Sequence, residues 1–257
     1  MFLAVDAGNS NIVLGLYDSG KWTHVWRIET AKEKVSDDYR SIFLSHFQQA
    51  NIPLEKIRHV MIACVVPHLT IHLQNSLKEL TGVMPHVLGP ESDTGISLEA
   101  DNPKEIGPDL IAGAAGAYHS IQDSCIVVDF GTATTLVAVE SPGRLTGGVI
   151  CAGLKITIDA LIGRTALLGD IPLEIPAKIL AKDTVGAMQS GLIRGHACMV
   201  EGLISKVKEE IGEAHVIATG GLAETLAPYI ESFDRVEPLL TLDGMRYVYE
   251  RMSSRET

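Results

Sequence analysis

The segment Phe2-Leu-Ala-Val-Asp6-Ala-Gly8 is matched by Cys125-Ile-Val-Val-Asp129-Phe-Gly131, which begins 123 residues later. In each copy an apolar run ends in a carboxylate and a glycine, which is typical of a buried strand followed by a tight turn. The identities are few, but in both copies a second strand, a glycine-containing turn and a third strand follow at the same spacing. This shared order favours an internal duplication over coincidence.

The regions after the two openings predict helices and further strands. Ser36–Ala50 has its apolar residues at helical spacing, His59–Val66 is a second candidate for a buried strand, and Leu242–Arg251 predicts a final helix. The sequence therefore predicts an α/β protein of two similar halves, 1–118 and 119–257, with a central cleft between them.

The charge balance limits the possible ligands. The chain has 257 residues, is 46% hydrophobic, and carries 21 basic against 32 acidic side chains for a formal charge of −11. This composition is typical of a globular protein with a substantial core. The negative charge argues against binding nucleic acid or an anionic membrane surface, since both need clustered Lys and Arg. An anionic ligand would have to be neutralised locally, by backbone N–H groups, a helix N-terminus or a metal ion.

Nothing in the sequence indicates export or membrane insertion. The N-terminal MFLAVD lacks the basic region of a signal peptide, and no apolar run is long enough to span a bilayer. The four cysteines are far apart and lack the spacing of a zinc site, which favours small buried side chains in a reducing compartment. We therefore expect a soluble, cytoplasmic protein.

Asp6-Ala-Gly8-Asn9-Ser10-Asn11 joins a strand-ending carboxylate to a glycine turn with small polar side chains. Such a turn suits phosphate, because glycine lets the backbone approach and Asp can hold Mg²⁺ through water. Taken alone, an Asx-rich hairpin turn is the simpler interpretation. The segment from Asp129 to Thr135 repeats the design with three hydroxyls, and two such turns facing one cleft favour a nucleotide site. Two converging carboxylates repel each other, so this site requires Mg²⁺ or another cation.

Three further segments carry candidate residues, and each has a structural alternative. Thr219-Gly220-Gly221 joins a strand to a helix, where paired glycines permit packing against adenine or phosphate or simply form a turn. Asp109 lies in the first turn of a small-residue helix, either as a general base or as a residue favoured by the helix dipole. Thr184 begins another helix, as a cap or as a ligand donor. Sequence chemistry leaves these alternatives open.

The chain resembles the type III pantothenate kinases, a family of the acetate and sugar kinase/Hsc70/actin superfamily, from Phe2 to about Met252. No single segment is specific, but eight segments occur in the family's order. They are DAGNSNIVLGLYD, DNPKEIGPDL, VVDFGTATTL, GGVICAGL, RTALLGDIP, KDTVGAMQSGLIRG, ATGGLA and LTLDGMRYVYERM.

The resemblance implies a duplicated ribonuclease-H-like (actin-like ATPase) fold and a homodimer. It also implies ATP-dependent phosphorylation of pantothenate to 4′-phosphopantothenate, the first step of coenzyme A biosynthesis. The nucleotide contacts that it implies are Asp6, Ala7, Gly8, Asn9, Ser10, Asn11, Ile12, Val13, Thr132, Gly220 and Gly221. Within this set Asp6 places Mg²⁺, whereas Asp129 is in the position of the ligand of a monovalent cation, K⁺ or NH₄⁺.

On the substrate side, the resemblance implies a loop formed by Gly107, Pro108, Asp109 and Leu110, with Asp109 as the proton acceptor. Thr184 corresponds to a pantothenate contact that is reached across the dimer interface. The small-molecule substrate and a second copy of the chain are therefore the expected partners.

Two substrate-side positions depart from the family pattern. Leu110 stands where the family usually has Arg after Gly-x-Asp, and Ala100 stands where Tyr usually precedes Asp-Asn-Pro. Loss of the guanidinium would weaken binding of a carboxylate by ~1.5–3 kcal/mol, roughly tenfold to a hundredfold. Either another cation replaces it, with Arg164 and Lys182 as candidates, or the substrate differs, or activity is poor. The alternatives are a kinase for another small hydroxylated metabolite and a catalytically impaired nucleotide-binding regulator.

Overall fold

The computed structural model describes residues 1–31, 33–163, 174–176 and 178–255. The strands are β1 (Phe2–Ala7), β2 (Asn11–Asp18), β3 (Lys21–Glu29), β4 (His59–Cys64), β5 (His86–Val87), β6 (Ser97–Leu98), β7 (Cys125–Phe130), β8 (Ala133–Glu140), β9 (Arg144–Ala152), β10 (His215–Thr219) and β11 (Arg235–Val236). The helices are α1 (Ser36–Gln49), α2 (Pro67–Thr81), α3 (Pro108–Ile121), α4 (Leu154–Ile162), α5 (Thr184–Gln189), α6 (Gly195–Ile211), α7 (Ala223–Leu226) and α8 (Leu240–Ser253). A π-helical turn, Ser190–Arg194, joins α5 to α6.

The chain forms two compact units, Met1–His119 with Leu240–Thr257, and Ser120–Leu239. In the first unit the strands are ordered β3-β2-β1-β4-β5, and in the second β9-β8-β7-β10-β11. The first three strands of each unit pair antiparallel, and the fourth and fifth continue the sheet in parallel. The predicted duplicated, ribonuclease-H-like α/β fold is therefore confirmed.

The duplication extends to strand lengths and irregularities. The three opening strands have 6, 8 and 9 residues in both units. Register shifts fall at equivalent places, between Leu16 and Tyr17 and between Ala138 and Val139. The spacing of 123 holds for β1/β7 and β3/β9 but is 122 for β2/β8. The middle strand departs from the ungapped alignment because the turn before β8 is one residue shorter than the turn before β2.

The core of each unit explains why its strands and helices form. β1 is buried along most of its length, as a strand covered on both faces should be. In the first unit it packs with the apolar face of α1, where Tyr39, Phe43 and Phe47 are fully buried. This is the face that the helical spacing of Ser36–Ala50 predicts, and the observed helix ends one residue earlier.

The C-terminal helix belongs to the first unit, whereas the predicted halves assign it to the second. A Cβ on Gly116 of α3 would lie 2.9 Å from the Cα of Gly244 in α8, and a Cβ on Gly244 would overlap the Ala112 carbonyl oxygen. The small residues of α3 thus allow a backbone-to-backbone contact that no larger side chain would permit. Directly before Gly244, Asp243 accepts a hydrogen bond of 2.8 Å from Trp22 Nε1.

All four cysteines are free thiols. Cys125 is buried in β7, and burial raises its pKa to about 12. Cys198 is exposed on α6, so the expected burial does not hold there. Among the described residues, no helix combines the length and the apolar character needed to cross a bilayer.

Gly244→Ala should destabilise the protein, because the added methyl group would force α8 away from the α3 backbone. We expect the free energy of unfolding in urea to fall by about 1–3 kcal/mol. Gly202→Ala on α6 is the matched control, since a Cβ there meets no atom within 4 Å. It should raise stability by about 0.5–1 kcal/mol. Equal stability of Gly244→Ala and the wild type would contradict the close contact of α3 with α8.

Candidate functional site

The Asp6 turn connects β1 to β2 in the first unit. Asp6 pairs with Val13 of β2 and with Ala63 of β4 in the sheet register. The turn is closed by a hydrogen bond of 2.9 Å from Gly8 N to Asn11 O, and Asn9 and Ser10 are exposed at its tip. The structure therefore presents polar groups at the end of two buried strands.

Two members of the predicted contact set can offer only their backbone. Ala7 and Ile12 have no exposed surface, because their side chains belong to the hydrophobic core of the first unit. Asp6, Asn11 and Val13 are half-buried. Side-chain contacts from this turn are thus restricted to its polar residues and to Val13.

Asp109 lies in the first turn of α3, as predicted. Its Oδ1 accepts a hydrogen bond of 2.8 Å from the Leu110 backbone N–H, so part of the carboxylate satisfies the helix start. Burial raises the pKa of this carboxyl, and the hydrogen bonds from Leu110 and from its own backbone N–H oppose the rise. A partly desolvated carboxylate is a better proton acceptor than an ordinary surface Asp. The geometry of Asp109 therefore supports both interpretations, a residue favoured at a helix start and a general base.

Val65 brings the Asp6 turn and the Asp109 loop together within the first unit. Its N–H donates to Ala7 O at 3.0 Å, directly after β4. Its Cγ1 lies 3.5 Å from where a Cβ on Gly107 would be, and that Cβ would also overlap the Asp109 carboxylate. A side chain at position 107 would therefore displace the Asp109 carboxylate from its present position. Sequence reasoning missed Val65, because an apolar residue at the end of a buried strand has no distinguishing pattern.

The second unit repeats the turn at Asp129. Gly131 N donates to Ala133 O at 3.0 Å, and Gly131 and Thr132 are exposed. Asp129 pairs with Thr135 of β8 and with Thr219 of β10. The two carboxylates of the repeated motif therefore occupy equivalent sheet positions in their own units.

Gly220 lies directly over Asp129. Its φ is +90°, in the region that favours glycine, and a Cβ there would overlap the Asp129 carboxylate and lie 2.7 Å from Phe130 N. The predicted cation ligand and the predicted adenosine-side turn are thus adjacent, with Gly221 exposed beside them. Alanine at position 220 would displace the carboxylate.

Two residues that sequence reasoning missed hold the second turn in place. Gly153 N donates to Thr132 O at 3.2 Å, and a Cβ on Gly153 would lie 2.7 Å from Gly131 O. The Thr134 hydroxyl is hydrogen-bonded to His196 Nε2 at 2.9 Å, and burial lowers the pKa of that histidine. Gly153 could have been found from the sequence, because it is a glycine at a strand–helix junction. His196 could not, because an isolated histidine has no distinguishing pattern.

Thr184 is the first residue of α5, but it is not the cap. The cap is Asp183, whose side chain accepts a hydrogen bond of 2.8 Å from Gly186 N. Thr184 and the neighbouring Lys182 are exposed. The segment RTALLGDIP, including the candidate cation Arg164, lies outside the described residues.

Asp109→Asn should raise the melting temperature at about pH 7. The folded state holds the Asp109 proton more tightly than the unfolded state, so this group stabilises the protein at low pH. That contribution is lost as pH rises from the ordinary Asp value of 3.8 through the raised folded value. Asn is neutral throughout and can still accept from Leu110 N. Thermal melts of both proteins should therefore differ at neutral pH and converge near about pH 3. A lower melting temperature for the variant at neutral pH would contradict the burial of a charged Asp109.

Comparison with known proteins adds family membership to this geometry. The type III pantothenate kinase family model matches residues 2–206. The chain is 40% identical to a type III pantothenate kinase of Exiguobacterium sp. (strain ATCC BAA-1283 / AT1b), over 98% of this chain and 99% of that protein. It is 41% identical to a type III pantothenate kinase of Moorella thermoacetica, over 98% and 99%.

A solved structure agrees on the fold. The inorganic polyphosphate/ATP-glucomannokinase of Arthrobacter sp. strain KM is similar with a TM-score of 0.50 and 16% identity, covering 99% of this chain and 98% of that one. At such low identity the likeness concerns the fold alone. The family model matches well over half of the chain and the relatives align with 98% of it, and the chain therefore belongs to the type III pantothenate kinase family.

Proposed function

We propose that this protein transfers the γ-phosphate of ATP to the primary hydroxyl of pantothenate, giving 4′-phosphopantothenate in the first step of coenzyme A biosynthesis. The observation that carries the proposal is the joint packing of the Asp6 turn and the Gly107–Asp109 loop on Val65. It gives one unit both a phosphate-binding turn and a proton acceptor. Family membership supplies the substrate.

Asp109 is the general base in this proposal. Its carboxylate accepts the proton of the substrate hydroxyl while the oxygen attacks the γ-phosphorus in line with the leaving group. The raised pKa, which follows from burial, supports the role because it increases the basicity of the carboxylate. Catalysis by the remaining residues consists of positioning and charge stabilisation.

Each of the two repeated turns, taken in its own unit, offers groups that are suited to a nucleotide. In the first, Asn9, Ser10 and Asn11 offer side chains, whereas Ala7 and Ile12 offer backbone groups. In the second, the Thr132 hydroxyl and the main chain at Gly220 and Gly221 are suited to phosphate and to the adenosine side. Backbone N–H groups and small polar donors compensate for the negative charge of the chain.

Mg²⁺ fits the chemistry of the Asp6 turn. Among the described residues, no group of three or more His, Cys, Asp or Glu side chains is arranged to hold a metal. Mg²⁺ commonly uses one or two carboxylates together with substrate phosphates and water, which a single Asp6 satisfies. When bound with ATP, Mg²⁺ neutralises charge on the phosphates.

A monovalent cation, K⁺ or NH₄⁺, fits beside Asp129. Thr135 faces Asp129 across β7 and β8, and its Oγ1 is buried without a hydrogen-bond partner among the described residues. An anionic oxygen next to an unused hydroxyl oxygen is a suitable donor set for such a cation. The absence of any Cβ at Gly220 leaves the carboxylate its space.

The substrate side is where this chain departs from its family. Leu110 follows Asp109 in the first turn of α3, and the group that it offers to Asp109 is its backbone N–H. Lys182 is exposed two residues before Thr184 and is the candidate to replace the missing guanidinium. If it does not, the favoured second function is phosphorylation of another small hydroxylated metabolite, which a substrate screen with MgATP would identify.

A homodimer fits the surface around Thr184. Leu180 is 84% exposed and Val185 is 50% exposed, so Thr184 lies within an apolar surface of the second unit. Ile156 and Ile179 are also exposed in this unit. Apolar side chains this exposed indicate a protein interface. A second copy covering them would bring Thr184 to the substrate of its partner.

Wild-type protein with MgATP, K⁺ and pantothenate should form 4′-phosphopantothenate, measured by coupled ADP release and mass spectrometry of the product. Asp109→Asn should lower kcat by about 10²–10⁴-fold, because the hydroxyl loses its proton acceptor. Normal turnover by Asp109→Asn would remove Asp109 from this role.

The matched control is Asp37→Asn. Asp37 is also the second residue of a helix, but its side chain is 78% exposed and pairs with Arg40 on the surface. Its kcat should stay within about twofold of wild type, since surface substitutions away from a site have small effects. If the wild type binds MgATP but turns over no small hydroxylated compound, the result would instead favour the alternative of a catalytically impaired nucleotide-binding regulator.

Leu180→Glu should dissociate the dimer, because the interface would have to bury a carboxylate. Sedimentation velocity should give a dimer for the wild type and a slower monomer for the variant. Ile71→Glu, on the exposed face of α2 in the first unit at 55% exposure, should remain dimeric. A monomeric wild type, or dissociation by both variants, would count against the proposed interface.

A further inference from the structure

Thr30 follows β3 and holds the Asp6 turn by two hydrogen bonds. Its Oγ1 donates to Gly8 O at 2.8 Å, and its backbone N–H donates to Ser10 O at 3.0 Å. No motif of the sequence includes Thr30. Both bonds end on carbonyls of the turn that carries Asn9.

These bonds fix the orientation of two peptide planes. A trans peptide is planar, so the N–H of one residue points away from the carbonyl of the residue before it. Holding Gly8 O and Ser10 O toward Thr30 therefore directs the N–H groups of Asn9 and Asn11 away from Thr30. Without the side-chain bond, the Gly8–Asn9 plane is free to rotate, since glycine resists rotation least.

Comparison of the two duplicated units shows which of the two Thr30 hydrogen bonds is specific to its hydroxyl and which is common to the fold. Gly153 occupies the position of Thr30 in the second unit, 123 residues later. Its N–H makes the equivalent bond to Thr132 O at 3.2 Å. The backbone bond is thus common to both units, and the side-chain bond to the turn is an addition of the first.

The segment that carries Thr30 is anchored to the core. Tyr39 donates from its hydroxyl to Ala31 O at 2.9 Å, and its ring is fully buried in α1. A chain of hydrogen bonds therefore runs from the core helix through the 30–31 segment to Gly8. Thr30 is a fixed point from which the turn can be oriented.

We propose that Thr30 is a positioning residue for the nucleotide: its hydroxyl orients the peptide groups of the Asp6 turn for the ATP phosphates. The inference rests on the proposed function, in which this turn binds ATP. Thr30 acts through Gly8 and does not itself contact the substrate.

Thr30→Val, which keeps the shape and the backbone N–H but removes the hydroxyl, tests the proposal. Loss of one neutral hydrogen bond should raise both the Kd for MgATP, by calorimetry, and the KM for ATP about three- to tenfold. The KM for pantothenate should stay within about twofold, a split that general loosening of the unit would not produce. Thr30→Ser keeps the donor and should restore the nucleotide parameters.

The matched control is Thr23→Val in the same strand region. Thr23 Oγ1 also donates to a main-chain carbonyl, that of Leu16 at 3.1 Å, but away from the turn. Its nucleotide affinity should equal that of the wild type. An unchanged Kd for Thr30→Val, or a Thr30→Ser variant as weak as Thr30→Val, would overturn the proposal.

Three further outcomes keep the proposal separate from the function on which it rests. If Thr30→Val does not fold, Tyr39→Phe removes the anchor at Ala31 and must weaken MgATP binding at least about twofold, or the proposal fails. If the wild type binds MgATP but phosphorylates no pantothenate, the proposed function fails and the affinity comparison still tests Thr30. If the wild type binds no MgATP, both fail.

Discussion

In each unit the arrangement depends on close approach of main chain to the candidate functional groups, at glycines where an added Cβ would lie closer than 3.0 Å to its neighbours. Gly107 lies against the Asp109 carboxylate, and Gly220 lies against Asp129. Gly153 lies against the carbonyls of the second turn. At each place the missing side chain brings backbone into contact with a group assigned to the chemistry. In each unit the candidate residues are therefore positioned by packed main chain, which varies less in position than flexible side chains do.

Duplication on one scaffold has produced two unequal turns. The sheets share strand order, strand lengths and the position of a register shift, yet the turn before β8 is one residue shorter than the turn before β2. The first turn is held by a threonine side chain and the second by a glycine. The two equivalent carboxylates also differ in their surroundings, because Asp6 faces Val13 whereas Asp129 faces Thr135, and this difference supports the proposal of a different cation at each.

Much of the fold followed from the sequence, because buried strands and amphipathic helices have regular patterns. The repeated Asp-x-Gly segments and the helix over Ser36–Ala50 illustrate this, and family motifs identified Asp109. Val65 and Thr30 could not be found in this way, since their roles arise from contacts between segments distant in sequence. The position of α8 was missed for the same reason: sequence order says nothing about which sheet a terminal helix covers.

The placement of α8 also has a consequence for biosynthesis. Helix α8 covers α3, the helix whose first turn carries Asp109, through the contact of Gly116 with Gly244. The first unit therefore lacks this layer until α8 has been synthesised and has left the ribosome, although domains usually fold from the N-terminus during translation. A prematurely terminated polypeptide leaves α3 uncovered, so an incomplete product exposes apolar surface to chaperones and proteases instead of persisting as a partly active enzyme.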